Sequence, residues 1–268
     1  MSSAYGAISR PTSGQSLSTV LPRHAILRNL TNANGEAVHS TPNSTLFRIA
    51  SNKEVLDSSS QQYTLSGATH STLVEAMHQV FNEEVERGDT YPQEFQLDAT
   101  QFENYFFSGD SFVLIKGHYQ QATDVELRKD INDWMKDLLG FFYIKPNFPG
   151  RCSHICNGGF IVNSSQRGLG IGSILGKSFL KVVPVIGYKA SMFNLVFVSN
   201  VASIKLWRRL GFQEIGRIPK AGRLRGQGTV VQSEQKDEGG TLDNEGFVDA
   251  IQFYWDFETM PVPAEYDA

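Results

Sequence analysis

The stretch GGFIVNSSQRGLGIGSILGKSFL, Gly158 to Leu180, joins a short β-branched and aromatic run to a long apolar run through glycines at 168, 170 and 172. A strand, a glycine-rich turn and a helix is the arrangement with which a protein holds phosphate. Main-chain N–H groups converge at the helix N-terminus, and the missing side chains let the ligand approach. Several phosphate loops share that composition, so the spacing has to separate them. A nucleotide P-loop needs GxxxxGK[ST], but five positions before Gly176 of "GKS" stands Ile171. Lys177 and Ser178 also fall a turn or more inside the expected helix, away from its mouth. The dinucleotide pattern GxGxxG fails as well, because its third glycine would fall at Ser173 or Leu175. The pattern that fits is RxxGxG, as Arg167, Gly170 and Gly172, preceded by Gln166 and by a strand ending at Asn163.

Outward from this loop the chain alternates strands and helices. "THSTLVEAMHQVFNEEVERG" places Leu73, Ala76, Met77, Val80 and Phe81 on one helical face; Thr72 with Glu75 reads as a capping box, and Gly88 ends the helix. A second helix is expected through "ATQFENYFF", then a strand in "SFVLIKG", a charged segment "TDVELRKDINDWMKD" and a strand "LLGFFYIKP". After the glycine loop come the helix "GSILGKSFLKVVPVIG", the strand "SMFNLVFV", the helix "VASIKLWRRL" and the strands "FQEIGRI" and "FVDAIQFYWDF". The expected class is therefore α/β (α+β), with one sheet flanked by helices. Residues 1–65 read as a loosely organised lead-in that contains a short strand, "TLFRIA"; residues 66–268 read as the catalytic domain, with a solvated insert over 225–246.

A second constellation adds to RxxGxG. In "NVASIKLWRRLGF", Asn200 follows an apolar strand, Leu206 and Trp207 lie on the next helix, and Gly211-Phe212 turns into a strand. Together the two motifs resemble the GNAT superfamily of N-acetyltransferases, over roughly Thr72 to Phe257. The resemblance implies a mixed, mostly antiparallel sheet splayed between its fourth and fifth strands, with acetyl-CoA as cosubstrate in the cleft. "GGFIVN" and "SMFNLVFV" would be those two strands. Ile161 and Val162 would offer main-chain groups to the pantetheine, and the amides of Arg167, Gly168, Leu169, Gly170, Ile171, Gly172 and Ser173 would hold the pyrophosphate. Further stretches, "FYIKPNFPGRCSHICNGGFIVN", "GYKASMFNLVFVSNVAS" and "TYPQ", resemble the fungal N-acetyltransferases that detoxify proline analogues such as azetidine-2-carboxylate and cis-4-hydroxyproline. That family's three active-site asparagines map onto Asn157, Asn194 and Asn200: the first two would line the substrate pocket, and Asn200 would meet the acetyl-CoA end. A homodimer is implied by the same resemblance.

Acetyl transfer to an amine needs a neutral nitrogen, a polarised thioester carbonyl and a proton for the departing thiolate. Many family members supply the proton from a tyrosine; here that place holds Trp207, which cannot act as a proton acid near neutral pH. Water would protonate the thiolate instead. Asparagine cannot serve as a general base, but its donors and acceptor suffice to bind a carboxylate and orient a ring nitrogen. The expected activity is N-acetylation of a small amino or imino acid. The competing readings are acetylation of a polyamine or protein lysine, and a non-catalytic CoA-binding module.

The remaining residues read more plainly. Glu83, Glu84 and Glu86 form the solvated face of the first helix, with one of them able to edge the cleft. Tyr105, Phe106 and Phe107 read as core, His78 as packing, His118 as a possible base, and Arg223 as a surface arginine that could meet a carboxylate. Asn200 also reads as a helix N-cap. A net charge of −4 gives no basic footprint for nucleic acid, and no apolar run approaches the length that spans a bilayer. Cys152 and Cys156 flank His154 without a second ligand pair, so neither a disulfide framework nor a metal is expected. The first 35 residues lack acids and carry Arg10, Arg23 and Arg28, as mitochondrial transit peptides do, but Pro11, Gly14 and Pro22 interrupt a helix there. A cytoplasmic protein with a disordered N-terminus is the expectation, with mitochondrial targeting as the alternative.

Overall fold

The apolar runs pair into one nine-stranded sheet in the computed structural model, which describes residues 11, 15–25, 28–31, 37–227 and 245–267. In chain order the elements are β1 (Arg23–Ala25), β2 (Arg28–Thr31), β3 (Ala37–Thr41), β4 (Ser44–Ala50), β5 (Thr64–Ser66), α1 (Ser71–Arg87), α2 (Ala99–Phe106) and β6 (Asp110–Lys116). They continue with α3 (Ile131–Asp137), β7 (Leu138–Pro146), β8 (Ile155–Val162), α4 (Ile171–Val185), β9 (Ala190–Phe197), α5 (Val201–Leu210), β10 (Gln213–Arg225) and β11 (Glu245–Asp256). The sheet order is β1-β4-β6-β7-β8-β9-β11-β10, with β5 beside β4; β2 and β3 form a separate pair. All pairings along the main path are antiparallel except β8 with β9.

Helices cover both faces of the sheet, which is why its central strands read as continuous apolar runs. On one face Phe112, Leu114, Phe142 and Ile144 pack with Leu175, Phe179 and Val183 of α4 and Ile204 and Trp207 of α5. Their sequence neighbours Val113, Ile115, Phe141 and Tyr143 point the other way, toward Leu73, Met77, Val80 and Phe81 of α1 and Phe102 and Phe106 of α2. Strand alternation thus splits one apolar run between two cores.

Several expectations are corrected. Thr72 does not cap α1: the helix starts after His70 with no side-chain cap, because the Thr72 hydroxyl donates to the Arg128 carbonyl at 2.6 Å and accepts from the Trp134 indole. Gly88 does end it, at φ 67°. Within the expected lead-in, every residue of β4 is buried and the strand pairs with β6, so the core begins before residue 66. Arg48 can lie there because Glu54 at 2.8 Å and Asp110 at 3.5 Å neutralise it. β10 runs past "FQEIGRI" to Arg225: the Asp249 carboxylate accepts from the Lys220 N–H and the Arg217 guanidinium, holding an irregular register between Ile218 and Gly222. Of the expected insert 225–246, the ends Arg225 and Glu245 are a paired rung of β10 and β11, and 228–244 lie outside the described residues.

Candidate active site

β8 and β9 are held together only at their first residues, Ile155 opposite Ala190 and Cys156 opposite Ser191. Beyond that rung they diverge, and a cavity of about 710 Å³ opens between them, walled by both strands, the loop into α4, the start of α5 and the C-terminal end of α1. The expected splay is therefore present, between the two strands on which the sequence places it.

One end of the cavity is built from main chain. The loop after β8 is pinned by buried Asn163, whose amide donates to the carbonyls of Met135 and Leu138 and whose oxygen accepts from the Ser165 N–H and hydroxyl. Thr41 adds a second anchor, donating to the Leu169 carbonyl at 2.7 Å. Gly168 and Gly170 hold φ of 79° and 77°, a left-handed conformation that costs other residues about 1–2 kcal/mol. Gly170 is also the N-cap of α4 and has no side chain to occupy the helix's first N–H groups. A 15-residue helix thus turns its first turn and the positive end of its dipole to the cavity, although the Ser173 N–H already donates to the Gly170 carbonyl at 3.0 Å and the Arg167 N–H to the Ser164 carbonyl at 3.4 Å. Residues 167, 168 and 170–173 all line that wall, as do Ile161 and Val162, whereas Leu169 points its carbonyl at Thr41. These are the features that a pyrophosphate requires.

The other end is built from side chains. Asn157 lines the cavity, its oxygen accepting from its neighbour's Gly158 N–H at 2.9 Å. Asn194 also lines it and is fixed by a reciprocal amide pair: its Nδ2 donates to Asn147 Oδ1 at 2.6 Å, and Asn147 Nδ2 donates back at 2.9 Å. Nothing in "FYIKPNFPGRCSHICNGGFIVN" sets Asn147 apart from its neighbours, and only a pairing across 47 residues gives it significance. Asn200 caps α5 through the Ser203 N–H at 3.1 Å, which leaves its amide N–H₂ at the cavity wall. The three expected asparagines thus share one cavity, with Asn200 toward the α4 end.

Around them stand Tyr91, Tyr105 and Tyr143, all cavity-lining. Tyr105 is therefore a wall residue as well as a core one, while Phe106 is wholly buried in the core as expected. Of the charge run, Glu84 is the member that edges the cleft, but it is not solvated: it is buried, accepting from Arg87, from Thr90 at 3.2 Å and from Arg167 at 2.5 Å. The arginine of RxxGxG accordingly ties the glycine loop to α1. Glu83 and Glu86 stay at the surface. Beneath the tyrosines, Lys145 donates to the Tyr105 carbonyl and sits 4.1 and 3.9 Å from the Tyr105 and Tyr143 ring centroids; burial lowers its ammonium to about 7.

Trp207 is 4% exposed and packs among Phe160, Phe193 and Phe212 with centroids 4.9, 4.5 and 5.3 Å away, so it shapes the cavity wall. His118 is not among the cavity-lining residues and packs at a tilt against His24, centroids 4.1 Å apart, and Arg223 is paired with Glu94 and Glu245 outside the cavity. His78 bonds the Leu97 carbonyl, the packing role expected. Burial pushes the Cys156 thiol up to about 12, which makes it inert as a nucleophile. Among the described residues no cluster of three or more His, Cys, Asp or Glu could hold a metal ion, and no helix is long and apolar enough to cross a membrane.

Comparison with known proteins agrees with this architecture. A model of the acetyltransferase (GNAT) family matches residues 80–212. The chain is 39% identical over 188 residues to N-acetyltransferase aca1 of Schizosaccharomyces pombe, covering 70% of this chain and 82% of that protein. It is 31% identical over 185 residues to Protein SPT10 of Saccharomyces cerevisiae, covering 57% of this chain but 29% of that protein. Among solved structures, a GCN5-related N-acetyltransferase from Kribbella flavida superposes with a TM-score of 0.52 at 24% identity, covering 68% of this chain and 91% of its own.

Proposed function

The chain belongs to the GNAT acetyltransferase family and is an acetyl-CoA-dependent N-acetyltransferase; from that premise we propose that its acceptor is a small amino or imino acid, with proline analogues as the leading candidates. The observation that carries this reading is the chemistry of the side-chain end of the cavity. Its groups are neutral amides and hydroxyls, and among the described residues its one carboxylate, Glu84, is already engaged by two arginines. A polyamine, carrying several positive charges, would meet no free anion there; a zwitterion with one carboxylate and one amine meets donors and acceptors for both.

In this reading the N–H groups at the start of α4 and the loop from Arg167 hold the pyrophosphate, and main-chain groups of Ile161 and Val162 align the pantetheine arm. Asn157 and Asn194 position the acceptor. The Asn147–Asn194 pair matters because it holds the Asn194 amide in place, while the Met192 carbonyl, accepting from Asn147 Nδ2 at 3.4 Å, sets which way round the two amides lie; fixed orientation is how a site without a general base gains rate. The acceptor nitrogen must arrive neutral. Its lone pair forms the bond to the acetyl carbonyl carbon, the carbon–sulfur bond breaks, the nitrogen's proton passes to water, and the thiolate takes a proton from water. Trp207 lends shape to that step, and Asn200 offers an N–H at the junction of the two ends.

The test is thiol release from acetyl-CoA across a panel of cyclic imino acids, primary amino acids and polyamines. The expected result is turnover with imino acids and none with spermidine. Preference for polyamines would replace this reading with the polyamine one, and a flat response across the panel would remove it.

A further inference from the structure

The three tyrosines at the acceptor end carry more hydroxyl protons than the fold uses. Tyr105 and Tyr143 bond to each other, Oη to Oη at 3.0 Å, so one of them spends its proton on the other and the second keeps its own unspent. Tyr91 Oη is buried beside both hydroxyls, near enough to interact with each, yet in hydrogen-bond geometry with neither. A buried hydroxyl without a partner is costly, and it is tolerated where a ligand completes it. The arrangement is also held rigidly. The Tyr91 ring stands edge-on to Phe81 at 5.2 Å, and the Tyr105 and Tyr143 rings stand edge-on to each other at 5.6 Å. Gly159 makes the room: a Cβ there would lie 2.4 Å from the Tyr143 ring and 2.6 Å from Tyr91 Oη.

We propose that the Tyr91 hydroxyl and the unspent hydroxyl of the Tyr105–Tyr143 pair form a carboxylate-binding site, which makes the enzyme select amines that bear an α-carboxylate. The proposal rests on the amino-acid reading above and gives the carboxylate, which the asparagine amides were expected to bind, to the tyrosines. Two O–H donors converging on one anion give short, charge-assisted bonds. Lys145, over the two rings, adds positive potential on the same side. Among the described residues lining the cavity no free acid opposes it, because Glu84 is held by Arg87 and Arg167. Burial raises Tyr91 and Tyr143 well above ordinary tyrosine values, so both remain donors throughout the working pH range.

The experiment compares azetidine-2-carboxylate with azetidine, the same ring amine without the carboxylate, using the full chain at saturating acetyl-CoA. In the wild type the acid should be the better substrate. Tyr91→Phe should lower kcat/KM for the acid by about 10- to 100-fold, chiefly through KM, and change that for azetidine by less than about twofold. Equal losses on both substrates would make the hydroxyl merely structural and overturn the site, as would an unchanged preference for the acid. A wild type that acetylates neither compound nor any other amino acid would instead bring down the amino-acid reading itself, and this site with it.

Discussion

At the glycine end of the cleft the ligand-facing groups are main-chain N–H, set by one continuous segment from β8 through Gly170 into α4; at the acceptor end they are side-chain amides and hydroxyls from α1's exit, α2, β7, β8 and β9. The first end needs residues that are absent, in the sense that glycine removes side chains from the approach. The second needs particular side chains, each held by a partner far away in sequence. One consequence is that the two ends should fail differently: substitutions at the first obstruct the cofactor, and substitutions at the second leave cofactor binding intact while acceptor selection is lost.

Gly172→Val should have the largest effect. A Cβ at 172 would meet nothing closer than Leu206 at 3.5 Å, so the fold tolerates it, but the side chain enters the pyrophosphate's approach. We expect kcat/KM for acetyl-CoA to fall by about 100-fold or more in steady-state kinetics, with recovery of rate at high acetyl-CoA. Next is the amide pair. Asn194→Ala and Asn147→Ala should each cost about 10- to 50-fold in kcat/KM for the imino acid, and the double variant little more than either, because both lose one shared interaction. Additive losses would mean that Asn147 acts independently of Asn194.

Glu84 joins the two ends, and its loss should register as stability. Glu84→Gln leaves Arg167 without its carboxylate and Arg87 with Asp89 alone; since Arg167 is half exposed, the expected cost is about 1–3 kcal/mol in denaturant unfolding. A further effect, read as a slope against pH, concerns Lys145. Burial depresses its ammonium from 10.5 to about 7, so between those values the unfolded chain binds the extra proton and the folded chain does not. Stability should therefore rise with pH from about 7 upward through this window, and Lys145→Met should flatten that rise in melting curves taken from pH 7 to 10.

The same contrast explains what could be read from the sequence. RxxGxG, the register failure of "GKS", Gly88 and Gly211 as helix stops and Asn200 as a cap are all local patterns, and each is found where the spacing puts it. The splay is also in place, because it follows from the family's strand order. Thr72 misled because its hydroxyl had a better partner across 56 residues than at its own helix end. Glu84 looked like its exposed neighbours because a charge run does not tell which member turns inward toward an arginine 83 residues away. Asn147 and Tyr91 fall within "FYIKPNFPGRCSHICNGGFIVN" and "TYPQ", stretches that carry the resemblance as wholes and do not set these two residues apart from their neighbours, so only the fold brings them into play.

The most direct test is to measure acetyl transfer to an imino acid in parallel for the wild type, Gly172→Val and Asn157→Ala while acetyl-CoA is raised from limiting to saturating. We predict that saturating acetyl-CoA restores Gly172→Val to within about threefold of wild type, whereas Asn157→Ala remains about 10-fold or more impaired with a raised KM for the acceptor. Equal rescue of both variants, or of neither, would contradict a cleft divided into a main-chain cofactor end and a side-chain acceptor end.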